Sequence, residues 1–114
     1  MSVRRRRKTP ELVASAAEGL TQLDRLVHEP ARLAILAILA VVEEADFVFL
    51  QNQAGLTAGN LATHLARLEE AGFVESRKIF EGKKPCTILK LTAAGSAALT
   101  AWRKNLGRLM DLLP

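Results

Sequence analysis

The segment Gln53-Ala54-Gly55-Leu56-Thr57-Ala58-Gly59-Asn60-Leu61-Ala62-Thr63-His64-Leu65-Ala66-Arg67-Leu68-Glu69-Glu70-Ala71-Gly72-Phe73-Val74 divides into the end of a short helix, a glycine turn and a second helix. Gly55 suits the left-handed cap that closes the first helix. Thr57 is a capping hydroxyl for the second, which runs to Ala71 with Gly72 as its stop. At about 1.5 Å per residue this helix is roughly 20 Å long, enough to lie in a DNA groove. Leu61, Leu65 and Leu68 fall on one face at i, i+4 and i+7, and anchor it to a core. Asn60, Thr63, His64 and Arg67 occupy a separate polar face. Their chemistry suits base edges and phosphates: asparagine pairs with adenine, arginine with guanine, and threonine offers a hydroxyl or a methyl group.

Working outward, Pro30 opens a helix over Ala31 to Glu44 whose residues are apolar on nearly every side, as a central helix requires. Phe47-Val48-Phe49-Leu50 reads as a small strand leading into the short helix. After the second helix come Phe73 to Phe80, a turn Glu81-Gly82-Lys83-Lys84-Pro85, and Cys86 to Leu91. Two β-compatible runs around a glycine-containing turn predict a hairpin. Thr92 caps a last helix reaching Leu113. Before the centre, Thr9-Pro10-Glu11 starts a helix striped by Leu12, Ala16, Leu20, Leu23 and Val27. The order helix, helix, helix, hairpin, helix is the winged helix-turn-helix layout, a mainly α chain with a small β-hairpin (α+β). Residues 1–9 read as a basic disordered tail and residues 10–114 as one domain.

At 114 residues and 12.4 kDa the chain holds a single core. The longest unbroken apolar run, Leu33 to Val42, is half of the ~20 residues that a membrane span takes, so no membrane partner is expected. Cys86 is the one cysteine, which excludes an internal disulfide and a multi-cysteine metal site. The first residues carry no apolar stretch of a secretory signal, and a cytoplasmic, nucleoid-associated protein is expected. The net charge of +4 is unevenly spread. Residues 1–8 carry +5, residues 9–56 carry −5, and each of the spans 57–90 and 91–114 carries +2. An acidic first half beside a basic second half suits a face turned toward a polyanion, against the blander reading of a mixed solvated surface.

On these elements the sequence resembles the bacterial and archaeal winged helix DNA-binding domain family, related to MarR- and ArsR-like transcriptional regulators. The resemblance runs from about Leu23 to Leu99. It rests on Leu23-Asp24-Arg25-Leu26-Val27-His28-Glu29-Pro30-Ala31-Arg32-Leu33-Ala34-Ile35-Leu36, on Leu56-Thr57-Ala58-Gly59-Asn60-Leu61, on Thr63-His64-Leu65, and on Leu68-Glu69-Glu70-Ala71-Gly72-Phe73-Val74. In the wing it rests on Gly82-Lys83-Lys84-Pro85 and Leu91-Thr92-Ala93-Ala94-Gly95. It implies a dimeric regulator of double-stranded DNA with the 57–71 helix in the major groove and the hairpin beside it. Three positions depart from similar domains: Ala66 and Cys86 stand where a basic residue is common, and Glu81 adds an acid to the turn.

The candidate DNA contacts are therefore Thr57, Asn60, Thr63, His64 and Arg67 on the helix, Arg77, Lys78, Lys83 and Lys84 on the wing, and Arg32 at the start of its own helix. Several have a plainer alternative. Arg67 can pair with Glu70, Arg32 with Glu29, and the two lysines at the tip can be merely solvated. Arg4, Arg5, Arg6, Arg7 and Lys8 form either a nucleic-acid arm or a solubilising tail. Leu99, Trp102, Leu106, Leu109 and Leu113 alternate spacings of three and four and, with Leu12 and Leu20, predict N- and C-terminal dimerisation helices. Such a homodimer sets two recognition helices about 34 Å apart on a palindromic site. No catalytic spacing, metal set, phosphate loop or cofactor motif is found, so no enzyme and no cofactor are expected. Glu43, Glu44 and Asp46 read as the solvated end of a helix. No residue identifies a small-molecule effector. The alternative function is a winged helix interaction or dimerisation module with little specific DNA binding, which the three departures keep open.

Overall fold

The computed structural model describes residues 25–114, together with Glu11 and Ala14, both helical. The elements are α1 (Pro30–Val42), β1 (Glu44–Asp46), α2 (Phe47–Ala54), α3 (Ala58–Glu70), β2 (Val74–Glu81), β3 (Lys84–Leu91) and α4 (Ala93–Leu112). This is the expected winged helix, with its small first strand placed ahead of Phe47 rather than at Phe47–Leu50. Residues 1–10, and with them the basic arm Arg4 to Lys8, lie outside the described residues, as do Leu12 and Leu20.

Each helix begins on a side-chain oxygen that satisfies backbone N–H groups left open by the helix geometry. Thr57 accepts from the Asn60 N–H at 3.1 Å, Thr92 from Gly95 at 3.0 Å, and Asp46 from Phe49 at 2.7 Å. For α1 the oxygens belong to Glu29, whose carboxylate accepts from Ala31 and Arg32 at 3.2 and 2.9 Å ahead of Pro30. α2 and α3 also end alike. Gly55 and Gly72 both take positive φ, 68° and 79°. In each case the next residue reaches back into the last turn: Leu56 N–H to Gln51 O at 3.2 Å, and Phe73 N–H to Leu68 O at 2.9 Å. That is the Schellman closure, which a glycine in the left-handed region allows without a Cβ penalty.

The core gathers around α1. Ile35, Leu36 and Leu39 are buried, with Val27, Ala45, Leu50, Leu61, Leu65, Leu68, Val74 and Leu89 around them. All three leucines predicted to anchor α3 are in this set. Phe73, Leu91, Leu99 and Trp102 pack against it from the hairpin root and α4.

Three boundaries differ from the sequence expectation. α1 stops at Val42 rather than Glu44, because Glu43 turns the chain with φ 72° and Glu44 enters β1. A non-glycine residue in that conformation costs on the order of 1–3 kcal/mol and persists only when its surroundings fix it. Here β1 pairs antiparallel with β3 (Glu44 with Lys90, Ala45 with Leu89, Asp46 with Ile88), which makes a three-stranded sheet in the order β1-β3-β2. The strand thus precedes Phe47–Leu50, which are helical because Asp46 caps them. The turn is also tighter than expected. Glu81 already pairs with Lys84, so only Gly82 and Lys83 form the bend, with Gly82 at φ 64°. A glycine of positive φ at the first central position is the two-residue turn that matches strand twist.

α4 is fixed to the rest by a close contact. Thr92 donates its N–H to Phe73 O at 3.0 Å and its hydroxyl to Gly72 O at 2.5 Å. One turn on, a Cβ added to Gly95 would lie 2.1 Å from Phe73 O and 2.7 Å from Leu91 Cδ1. Gly107, on the same helix, has nothing within 4 Å. Gly95→Ala is expected to destabilise the protein by about 1–3 kcal/mol through overpacking. Gly107→Ala is expected to stabilise it by about 1 kcal/mol through helix propensity. Urea midpoints of the two variants check both signs in one experiment.

Candidate nucleic-acid interface

α3 presents two faces of different chemistry. Leu61, Leu65 and Leu68 hold it against α1, and the residues between them are turned outward: Asn60, Ala62, Thr63, Ala66, Arg67, Glu69 and Glu70 are exposed. Thr57 is exposed but spends its hydroxyl oxygen on the helix cap. The Thr63 hydroxyl donates back to Gly59 O at 3.0 Å, which commits its proton and leaves lone pairs and a methyl group. Asn60 has its amide group exposed. Arg67 makes no ion pair with Glu70 or with any other described residue, so its guanidinium is available to an outside anion. Asn60 and Arg67 stand two turns apart on this face, about 10 Å along the helix.

His64 is placed differently from its neighbours. It is half-buried, with its Nδ1 enclosed and 3.6 Å from Glu29 Oε2, so it faces the N-terminus of α1 rather than the outer surface of α3. Arg32 also turns inward. Its Nε donates to Leu26 O at 2.7 Å, and its backbone N–H is held by Glu29. Glu29 thus touches both α1 and α3. Burial pushes its carboxyl pKa up, but the two N–H bonds, with His64 and Arg32 nearby, outweigh that and lower it overall.

The wing separates its cations by strand parity. Successive side chains on a strand point to opposite faces. Val74, Ser76, Lys78 and Phe80 share the face whose root, at buried Val74, meets the helical core. Glu75, Arg77, Ile79 and Glu81 take the other face. There Arg77 forms a bidentate pair with Glu44 on β1 at 2.9 and 3.2 Å, which raises the arginine pKa and lowers that of the glutamate. So Lys78 lies on the α3 side of the hairpin and Arg77 on the far side, already paired. Lys83 and Lys84 are exposed at the tip, with Glu81 opposite Lys84 in the ladder. Cys86 sits opposite Ile79, and its thiol is pushed up by burial and by the charges of Asp46 and Glu81.

The acidic residues expected at a solvated helix end each have a structural task. Glu43 makes the bend, Glu44 holds Arg77 and Asp46 caps α2. Among the described residues no group of three His, Cys, Asp or Glu side chains is placed to hold a metal ion.

Of the leucine–tryptophan stripe on α4, Leu99 and Trp102 pack on the chain's own core. The Trp102 indole N–H donates to His28 Nδ1 at 2.9 Å, a contact across 74 residues that no local pattern signals. Leu106 and Leu109 are half-buried, and Leu113 and Met110 are exposed.

Residues 31–110 match the family model for the winged helix DNA-binding domain. The chain belongs to that family. An uncharacterized protein of Methanocaldococcus jannaschii is 39% identical over 74 residues, which cover 65% of this chain and 80% of that protein. The transcriptional regulator homologue protein from Pyrococcus horikoshii superposes with a TM-score of 0.75 at 28% identity, over 82% of this chain and 95% of that one. The transcriptional repressor CouR, solved on a 23-mer DNA duplex, shares the fold with a TM-score of 0.66 at 21% identity, over 89% of this chain and 74% of its own. Among the described residues no helix is long and apolar enough to cross a membrane.

The Glu29 cap has a pH signature. Because its pKa is depressed in the folded state, its contribution is present above the unfolded carboxylate pKa and is lost as pH falls through the folded value. Glu29→Ala is expected to cost about 1 kcal/mol near neutral pH, the usual worth of an N-cap. The gap from wild type should narrow toward zero in urea melts taken below the carboxylate range.

Proposed function

We propose that the protein is a DNA-binding transcriptional regulator that reads a palindromic site as a homodimer and represses by occluding a promoter. α3 lies in the major groove, and the wing over residues 73–91 follows the flanking backbone. The observation that carries this reading is the outer face of α3. Asn60, Thr63 and Arg67 are exposed on a helix whose opposite face is fully buried, so the helix offers base-reading chemistry on a rigid mount. Membership of a DNA-binding family supports it, and CouR shows that this fold can seat on a duplex. Lys78, Lys83 and Lys84 supply phosphate contacts from the wing. His64 and Arg32 act from beneath, by holding α3 and the start of α1 in place. The end of α4, with half-buried Leu106 and Leu109 and exposed Leu113, joins Leu12 and Leu20 as the dimer surface. Residues Arg4 to Lys8 add a non-specific phosphate arm.

The test is selection from a random-sequence duplex pool at two salt concentrations, for wild type and for Asn60→Ala/Arg67→Ala. Wild type is expected to enrich a palindrome. The double variant should lose that enrichment, each base contact being worth about 1–3 kcal/mol of discrimination. Loss of the Arg67 charge should also lower the salt slope by about one unit if it contacts phosphate as well. Salt-sensitive binding without enrichment, equal in both proteins, overturns base reading by α3. It would leave a non-specific arm on an interaction module.

A further inference from the structure

The wing ends in an apolar side chain that the fold leaves uncovered. Phe80 is 70% exposed, and its cross-strand partner is Pro85, also exposed. The hairpin places this pair with care for the backbone. Glu81 and Lys84 flank the two-residue turn, so they form the hydrogen-bonded pair that closes it, and Phe80 and Pro85 form the next, non-hydrogen-bonded pair. Proline lacks an N–H, and here that loss costs no ladder bond. Side chains of a non-hydrogen-bonded pair also approach most closely. The ring of Phe80 and the pyrrolidine of Pro85 therefore form one blunt apolar edge, braced by eight consecutive ladder pairs from Val74 with Leu91 to Glu81 with Lys84.

The setting says what this edge meets. It lies on the same hairpin face as Lys78, the face whose root meets the helical core. Lys83 and Lys84 follow at the tip, and Glu81 is the single acid among them. A strand rises about 3.3 Å per residue, so Phe80 stands roughly 20 Å out from buried Val74. A helix seated in the major groove lies about half a helical turn, roughly 17 Å, from the adjacent minor groove. Phenylalanine and proline are among the side chains that enter minor grooves as wedges, unstack a base step and bend the duplex, with basic neighbours holding the phosphates.

We propose that Phe80, backed by Pro85, is such a wedge: the wing of this protein partly unstacks a base step in the minor groove and bends the DNA it binds. This rests on the DNA-binding reading above and goes beyond a wing that only follows the backbone. The wedge needs a deformable step, so it would add a preference for pyrimidine–purine steps at positions that no side chain reads by hydrogen bonds.

The test uses the full chain and duplexes of about 22 base pairs enriched by wild type, roughly 75 Å long at ~3.4 Å per pair and so short enough for labels at both ends to report by energy transfer. Wild type is expected to shorten the end-to-end distance. Phe80→Ala should lose that shortening and about tenfold in affinity, in line with the worth of one stacked aromatic. Phe80→Leu, which keeps an apolar wedge, should retain most of both. The ring is exposed, so thermal melts should confirm that all three proteins fold alike. Wild-type binding with no bend, or a bend unchanged in Phe80→Ala, overturns the wedge. If that binding still falls in Asn60→Ala/Arg67→Ala, the reading of α3 survives alone. Absence of any duplex binding by wild type overturns both.

Discussion

The carbonyl of Phe73 is where the fold is joined. It accepts the Thr92 N–H, it follows the glycine that closes α3, and it sits so near Gly95 that any side chain there would strike it. The end of α3, the root of the wing and the first turn of α4 meet at this one peptide. Their angles are consequently set by hydrogen bonds and hard contact rather than by flexible linkers. A DNA-reading surface made of a helix and a hairpin depends on that, because the two elements have to present their side chains together. When they are fixed beforehand, binding does not have to order them.

The same economy governs the charges. Arg77 and Glu44 satisfy each other on the outer face of the sheet, and Glu29 is drawn to the N-terminus of α1 with His64 beside it. Among the described residues of α3 and the hairpin face beside it, the cations without an ion pair are Arg67 and Lys78, while Glu69 and Glu70 at the end of α3 are acids without one.

Much of this was legible in the residues. Thr57 and Thr92 as caps, Gly55 and Gly72 as stops, and the leucines of α3 as its buried face follow from chemistry confined to one or two helical turns. The unexpected features all depend on distant partners. β1 has one apolar residue, Ala45, and becomes a strand only by pairing with β3 more than forty residues on. The inward turn of His64 depends on Glu29, and glutamate is not among the favoured capping residues, so nothing local marks that corner. Arg77 and Lys78 are adjacent basic residues with no sequence difference to say which faces α3. The parity of the ladder decides it, and the parity is fixed at Val74, where the wing meets the core. The spacing of Trp102 points to a dimerisation helix, and nothing local signals its hydrogen-bond partner, His28, which lies 74 positions away.

The two-residue bend at Gly82 and Lys83, with an unbroken ladder behind it, also determines how such a wing can change its length over time. A residue inserted in one strand alone would break the register. One added to each strand would keep the register but carry Phe80 and Lys78 to the opposite face. Only additions of two residues per strand preserve both, and each extends the arm by about 6.6 Å. The reach of the wing is thus quantised, and related chains that differ in it should differ by multiples of four residues between the ends of β2 and β3.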